Sequence, residues 1–259
     1  MKSAELAAEE LNEQVSHRLM ALEDESCGFG HDTAVDEVIP DVHVYDNVLS
    51  DPTAYRELAL SHAFQTFEVG GVEWHGFSAC KPSGFTDWLT EMRPDLIATL
   101  SLLRQSPEGQ EEPHFIHTDL SMGDWTAILY LTPDPKDGDG TDFWRHRWSG
   151  VTESHAESAT AMVQEAQAWS DRDQWSLRQH VSARFNRVVL FPAQYFHSRS
   201  LSENYGHDET ARLTQIVFCK NKGIYNGRKS CHRTRLCQDA ERCCRSRRTT
   251  SDPRGHAGG

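Results

Sequence analysis

The chain lacks several features that would assign it to a common class of protein. None of its apolar runs reaches about eighteen residues, so the sequence predicts no membrane-spanning helix. It also lacks an excess of basic side chains, because 39 acidic residues against 26 basic ones give a formal net charge of -13. Phosphate contacts need a basic surface, so the main body is not expected to bind nucleic acid.

The N-terminal segment lacks the continuous apolar stretch of a secretory signal. Residues 1–11 instead carry Glu5, Glu9 and Glu10 among small residues. A signal peptide has a basic start and an apolar centre, so the expected location is cytoplasmic. Apolar residues at three- and four-residue intervals predict a helix over residues 4–23, followed by a polar linker.

The cysteines lack the short paired spacing of common zinc modules. Four of them, Cys231, Cys237, Cys243 and Cys244, crowd at irregular intervals into the last segment. This segment is rich in arginine and poor in large apolar residues, which predicts disorder. Two alternatives stay open: an irregular zinc site, or a basic arm that contacts nucleic acid or an acidic partner.

What the chain does have is the sequence His117-Thr118-Asp119 at the end of an apolar run, with His197 at the end of a later one. Side chains two residues apart on a strand point to the same face. A third ligand from a distant strand would complete a set of two nitrogens and one oxygen. Such a set leaves roughly three sites of an octahedral Fe(II) open, as in non-haem iron oxygenases. For an isolated His-x-Asp pair, a surface pair or a structural histidine is the alternative.

Four short elements follow one another along the chain: His117-Thr-Asp119, Gly138-Asp-Gly140-Thr141, Phe191-Pro192 leading to His197, and Arg212-Leu-Thr214. In this order they resemble the Fe(II)/2-oxoglutarate-dependent dioxygenases, and most closely the prolyl-4-hydroxylase-like branch with its small bacterial and phage members. The resemblance covers about residues 40–220. It implies a mainly β fold with flanking helices, built on a double-stranded β-helix (jelly-roll, cupin-like) core.

The resemblance also implies the cofactors. Fe(II) would be bound by His117, Asp119 and His197, which are then the catalytic residues. 2-Oxoglutarate and O2 would be the co-substrates, and ascorbate is a candidate stimulating reductant. An aspartate at position 119, where halogenases of the family have a small residue, favours hydroxylation.

Three further residues are implied as contacts of the co-substrate. Arg212 would pair with the distal carboxylate of 2-oxoglutarate, because guanidinium is a forked donor suited to carboxylates. Thr214 lies on the same face of the strand and adds a hydroxyl. Tyr130 is the third contact, and core packing is its equal alternative.

Three domains are expected: residues 1–38 as an N-terminal helix and linker, residues 39–222 as the oxygenase domain, and residues 223–259 as the basic, cysteine-rich tail. Within the middle domain the patterns predict the following elements: strands at 42–45 and 72–80, a helix capped by Ser50, a helix over 85–103 interrupted at Pro94, jelly-roll strands from Phe115 onward, and a helical insertion over 152–178.

Other polar residues of the middle domain are weaker candidates. Asp142 is a second carboxylate near the glycine-rich segment, but it ranks below Asp119 as a ligand. The segment Gly138–Gly140 is expected to form a tight turn and not a phosphate loop, because no helix or lysine follows it. The remaining histidines are predicted to be surface or loop residues: His146, His155, His180 and His207.

The leading interpretation is a hydroxylase that acts on an amino-acid, peptide or protein side chain and releases succinate and CO2. A cupin-type iron dioxygenase that needs no 2-oxo acid is the first alternative. A non-catalytic jelly-roll binding protein is the second, and recruitment to nucleic acid through the basic tail is the third. The substrate, a small molecule or a peptide or protein, is not specified by any motif.

Overall fold

The computed structural model describes residues 38–69, 72–79, 81–110, 116–155, 172–200 and 205–224. The predicted helix at 4–23, most of the predicted insertion and nearly all of the C-terminal tail lie outside these residues. The described residues include two α-helices and ten β-strands. Neither helix has the length and apolar character that crossing a membrane requires.

The helices are α1 (Pro52–Leu60) and α2 (Gly84–Met92). The strands, in chain order, are β1 (His43–Asp46), β2 (Gln65–Val69), β3 (Val72–Ser78), β4 (Leu96–Ser106), β5 (Trp125–Tyr130), β6 (Gly140–His146), β7 (Trp175–Ser182), β8 (Arg187–Pro192), β9 (His197–Arg199) and β10 (Arg212–Asn221).

These strands form two antiparallel sheets. The large sheet has the order β1-β8-β5-β10-β4-β3-β2, and the small sheet has the order β7-β6-β9. A backbone bridge from His117 to His197 extends the small sheet at β9. From β4 onward, β4, β5, β8 and β10 lie in the large sheet, whereas His117, β6, β7 and β9 lie in the small one. This division is that of a double-stranded β-helix, so the predicted jelly-roll core is confirmed.

The large sheet has two differently used faces. One, the helix-covered face, packs on α1 and α2 through an apolar cluster that includes Leu103, Leu129 and Leu213. The other, the site face, turns toward the small sheet, and Tyr130 packs there with Phe143. Because side chains alternate along a strand, adjacent residues of β10 serve different faces.

The helix predicted over 85–103 is correct only in its first half. α2 ends at Met92, and the chain from Leu96 is strand β4. β4 pairs with β10 along its whole length, from Ser106 opposite Arg212 to Leu96 opposite Asn221. Pairing in the centre of the sheet therefore outweighs the helix-like spacing of its leucines, and the jelly-roll strands begin at Leu96 and not at Phe115.

Smaller corrections concern helix and strand ends. The N-cap of α1 is Asp51 and not Ser50, because an Asp51 carboxylate oxygen accepts the backbone N–H of Ala54 at 3.0 Å. Residues 175–178, predicted as the end of a helical insertion, belong to β7 and pair with β6. The strands predicted at 42–45 and 72–80 are confirmed as β1 and β3.

Candidate metal centre

His117, Asp119 and His197 come together beside the start of β9. Each offers one ligand atom, and these three atoms lie within 4.8 Å of one another. The His197 Nε2 lies 3.3 Å from Asp119 Oδ2, and the His117 Nε2 lies 3.8 Å from Asp119 Oδ1. Both imidazoles therefore turn the same ring nitrogen toward the carboxylate.

Backbone pairing brings the two histidines side by side. The His117 N–H donates to the His197 carbonyl at 3.0 Å, and the His197 N–H donates back to His117 at 2.9 Å. The His197 Nδ1 lies 2.9 Å from the carbonyl oxygen of Tyr195, which can only accept, so Nδ1 carries the proton. This tautomer leaves a lone pair on Nε2, the form that a metal ligand needs.

Hydrogen bonds fix both the backbone and the side chain of Asp119. Its backbone N–H donates to Ala193 at 2.8 Å, and the Thr126 hydroxyl donates to Asp119 Oδ2 at 2.8 Å. Burial acts to raise the pKa of the Asp119 carboxyl, but the His197 and His117 imidazoles and the Thr126 hydroxyl outweigh it and lower the pKa to about 2. The carboxylate is therefore ionised at neutral pH.

The donor set fits a divalent transition metal. Two imidazole nitrogens and one carboxylate oxygen on one side of an ion are the ligand set of non-haem Fe(II) sites with open positions. The partial exposure of the set leaves room on its outer side: the side chains of His117 and Asp119 are 28% and 13% exposed, against 4% for His197.

A second polar group lies further along the site face. The Tyr130 hydroxyl and the Thr141 hydroxyl are 2.6 Å apart, and the Arg212 guanidinium carbon lies 5.7 Å from the Tyr130 ring centroid. Thr214, predicted to contact the co-substrate, is buried and lies opposite Tyr130 in the pairing of β10 with β5. Arg212, Thr214 and Tyr130 are thus neighbours, and their contact with a co-substrate stays a prediction.

This polar group is continuous with the metal ligands. Thr141 and Phe143 project from one face of β6, where they pair with Arg199 and His197 of β9. The Phe143 ring lies 6.5 Å from the His197 ring. Residues two apart on a strand are separated by roughly 6.6 Å, so the polar group begins one residue pair away from His197 along β6 and β9.

Sequence reasoning missed Asp139, the acidic partner of Arg212. Both oxygens of its carboxylate accept from Arg212 Nε, at 3.1 and 2.9 Å. The Tyr205 hydroxyl donates to Asp139 at 2.9 Å, and Arg199 Nε lies 3.7 Å away. Burial acts to raise the pKa of Asp139, but the two arginines lower it overall. The only sequence signal was an aspartate between two glycines, which was interpreted as a turn.

Gly140, which follows Asp139, is required for a steric reason. A Cβ at Gly140 would lie 2.1 Å from the carbonyl oxygen of Val181, so only glycine allows β6 to approach β7 here. The Gly140 N–H donates to the Asp139 carboxylate at 2.8 Å. The predicted tight turn is confirmed at Gly138, whose φ is +80°, and the turn also fixes the carboxylate that contacts Arg212.

Two predictions about the other histidines are wrong. His146 is buried on β6, with a ring nitrogen 2.8 Å from the Ser149 hydroxyl. His180 lies on β7 and pairs with Asp142 at 2.7 Å, which also occupies the carboxylate that ranked second to Asp119. His155 and His207 are exposed, as predicted.

Fold and site together define a double-stranded β-helix protein with a two-histidine, one-carboxylate cluster. The chain belongs to the family described as "Family of unknown function (DUF6445)", whose model matches residues 33–219. Among curated proteins, none matches the chain.

Solved structures of similar fold include the following three proteins. The non-haem α-ketoglutarate-dependent carbocyclase SnoK from nogalamycin biosynthesis is 15% identical with a TM-score of 0.48, over 69% of this chain and 79% of that one. HygX from Streptomyces hygroscopicus, with nickel and 2-oxoglutarate bound, is 12% identical with a TM-score of 0.43, over 68% and 81%. The epimerase SnoN is 13% identical with a TM-score of 0.43, over 68% and 76%. These activities and ligands are properties of those proteins.

Proposed function

We propose that the chain is a non-haem Fe(II)- and 2-oxoglutarate-dependent oxygenase that hydroxylates a small organic substrate. The observation that carries the proposal is the convergence of ligand atoms of His117, Asp119 and His197 within 4.8 Å in a double-stranded β-helix. Arg212 and Tyr130 on the same face supply the second half of a co-substrate site. Placement in the prolyl-4-hydroxylase-like branch is also a proposal, and it rests on the order of the four sequence elements.

Each residue has a distinct task in this proposal. His117, Asp119 and His197 would hold Fe(II), and the bound ion would supply the activation of O2. Arg212 would bind the distal carboxylate of 2-oxoglutarate by charge-assisted hydrogen bonds. In the overall reaction one oxygen atom of O2 goes to succinate and the other to the substrate, with loss of CO2.

The surface beside the metal ligands favours a substrate with an apolar part. Thr126, which donates to Asp119, pairs in register with Phe218 of β10. Phe218 belongs to an apolar cluster on the site face with the partly buried side chains of Trp74, Met122 and Ile216. A small molecule with an apolar face would bury these side chains, and a peptide substrate is the competing outcome of a screen for succinate formation.

Substitution of each metal ligand tests the central claim. His117→Ala, Asp119→Ala and His197→Ala should each weaken Fe(II) binding and abolish 2-oxoglutarate-dependent succinate formation, because a facial set with three protein ligands tolerates the loss of one poorly. Calorimetric metal titration and a succinate assay measure the two effects. His155→Ala, at an exposed histidine, is the matched control. Full succinate formation in any of the three variants would remove that residue from the site.

Arg212 tests the co-substrate. Arg212→Ala should leave metal affinity nearly intact but raise the Kd for 2-oxoglutarate more than tenfold, because losing a buried charge-assisted pair costs about 2–5 kcal/mol. Arg212→Lys should restore only part of the affinity, since an ammonium group is not a fork. An unchanged Kd in Arg212→Ala would move the cation elsewhere.

A cupin-type iron dioxygenase that needs no 2-oxo acid is the second candidate, and one observation favours it. Asp139 already gives Arg212 a buried ionic partner, so the charge of Arg212 is balanced without a ligand. A metal-loaded protein that consumes O2 with substrate, but neither binds 2-oxoglutarate nor forms succinate, would establish this alternative.

A further inference from the structure

Resting on the proposed function, the geometry points to Asp139 as a positioning residue: it holds Arg212 by Nε so that the terminal nitrogens Nη1 and Nη2 face the distal carboxylate of the 2-oxo acid. Asp139 does not touch the ligand in this proposal. It acts through Arg212, and it joins the turn before β6 to the start of β10.

Asp139 contacts only one nitrogen, Nε, of the Arg212 guanidinium. Both oxygens of Asp139 lie near Nε, at 3.1 and 2.9 Å, and these are the hydrogen bonds that Arg212 makes within the described residues. A guanidinium can bind a carboxylate through the edge formed by Nη1 and Nη2. Occupation of Nε alone leaves that edge for a ligand, and the arginine side chain keeps an exposed fraction of 8%.

Asp139 itself is fixed by several hydrogen bonds. Its side chain is 1% exposed, and it accepts from the backbone N–H of Gly140 at 2.8 Å and from the Tyr205 hydroxyl at 2.9 Å. The backbone of Asp139 is fixed as well, because the Ala183 N–H donates to its carbonyl at 2.7 Å. A carboxylate held by fixed donors can orient a flexible arginine, as outer partners orient metal ligands.

Arg212 is held close to Tyr130 and to the strand of the metal ligand His197. The guanidinium carbon lies 5.7 Å from the Tyr130 ring, whose hydroxyl contacts Thr141. Thr141 pairs with Arg199 of β9, two residues after His197. Arg199 Nε lies 3.7 Å from Asp139. The fixed carboxylate therefore lies between Arg199 of β9 and Arg212 of β10, and it holds Arg212 next to the strand that begins with His197.

Two probes separate this role from a merely structural one. Oxalate resembles the metal-binding end of a 2-oxo acid and has no distal carboxylate, whereas N-oxalylglycine has both ends. In calorimetric titrations of the Zn(II)-loaded full chain, Asp139→Ala should weaken N-oxalylglycine binding about tenfold, the lower end of the effect of removing an orienting partner. Oxalate binding should stay unchanged.

Matched variants complete the experiment. Asp137→Asn removes an exposed carboxylate from the same turn and should change neither affinity. Asp139→Asn keeps an acceptor oxygen and should show a smaller loss for N-oxalylglycine than Asp139→Ala. If Asp139→Ala does not fold, Asp139→Asn carries the test, with a loss for N-oxalylglycine alone as the expected result.

Three results would overturn the inference. Unchanged N-oxalylglycine binding would give Asp139 a structural role only. Tighter binding would show that Asp139 competes with the co-substrate for Arg212. Equal losses for both probes would place the effect at the metal ligands. If Arg212→Ala also leaves N-oxalylglycine binding unchanged, the proposed co-substrate site itself fails, whereas an effect of Arg212→Ala alone removes only the role of Asp139.

Discussion

The two faces of the large sheet are built from the same strands but stabilised in different ways. On the helix-covered face, Leu129 and Leu213 pack in an apolar cluster under α1 and α2. On the site face, their neighbours Tyr130 and Arg212 each have a named polar contact, with Thr141 and Asp139. At these positions the helix-covered face depends on apolar packing, whereas the site face depends on individual hydrogen bonds.

This difference shows where the chain tolerates change. An apolar cluster has many equivalent contacts. A substitution there should lower the stability of the protein but leave its function intact. A buried polar group has few partners, and removal of one leaves the other unsatisfied. Stability and chemistry should therefore separate between adjacent residues of a single strand.

The largest effect on stability is expected at Leu213. Leu213→Ala should lower the free energy of unfolding by about 2–5 kcal/mol, because it leaves a cavity in a fully buried apolar cluster. The affinity for metal in the folded protein should not change. Urea denaturation followed by circular dichroism and calorimetric metal titration measure the two quantities.

Thr214, the next residue along β10, is the matched control on the opposite face. Thr214→Val keeps the shape and should change the free energy of unfolding by less than about 1.5 kcal/mol. Its effect should appear as weaker 2-oxoglutarate binding. If both variants lose stability and ligand affinity together, the two faces do not act separately.

An intermediate effect is expected at Thr126, which donates to Asp119. Thr126→Val should reduce metal affinity about 10–100-fold, the usual effect of removing the outer partner of a metal ligand. Metal titration is the measurement. Thr99→Val is the control. Thr99 lies at an exposed position of β4, and its hydroxyl donates to the Phe218 carbonyl, so its loss should leave metal affinity unchanged. Equal affinities in wild type and Thr126→Val would contradict the assigned contact.

The last effect, absent at neutral pH, is an alkaline loss of stability at one tyrosine beside each face. Burial raises the pKa of Tyr55, beside the helix-covered face, and of Tyr205, beside Asp139, to about 12 in each case. An unfolded tyrosine ionises near pH 10, so the stability contribution is complete below about pH 10 and is lost as the pH rises toward 12.

Single variants assign this loss to one face or the other. Tyr55→Phe and Tyr205→Phe should each make the free energy of unfolding fall less steeply between about pH 10 and 12. Both variants should also be less stable at lower pH. Gln215 and the Phe85 N–H lose a partner in Tyr55→Phe, and Asp139 loses one in Tyr205→Phe. Denaturant titrations across this pH range provide the measurement, and curves parallel to that of the wild type would refute the assignment.

Much of the fold was predictable because the local patterns and the sheet agree. β5 and β8 are largely apolar, and most of their residues are buried. β4 was missed because Leu96, Leu100 and Leu103 also fit a helix, and the decision lies in its pairing with β10, more than a hundred residues later in the chain. Sheet pairing of this kind depends on context that a local pattern does not contain.

The same reasoning explains the outcome at the site. His117, Asp119 and His197 were predictable because three ligands of two residue types occur in a recognisable order, and the structure places them together. Asp139 and His180 were not, because their partners Arg212 and Asp142 lie far away in the chain. A buried ion pair has no local signature, since each member alone resembles a surface residue.

The backbone bridge between His117 and His197 has a consequence for folding. The two ligands lie at distant positions of the chain, so the unfolded protein holds them together only at the entropic expense of closing a long loop. A metal ion would then bind the native state far better than the denatured ensemble. At a free metal concentration of a hundred times the Kd, mass action would add about 2.7 kcal/mol to the apparent stability. The melting temperature should therefore rise with metal concentration, and a thermal shift would report metal binding without any turnover.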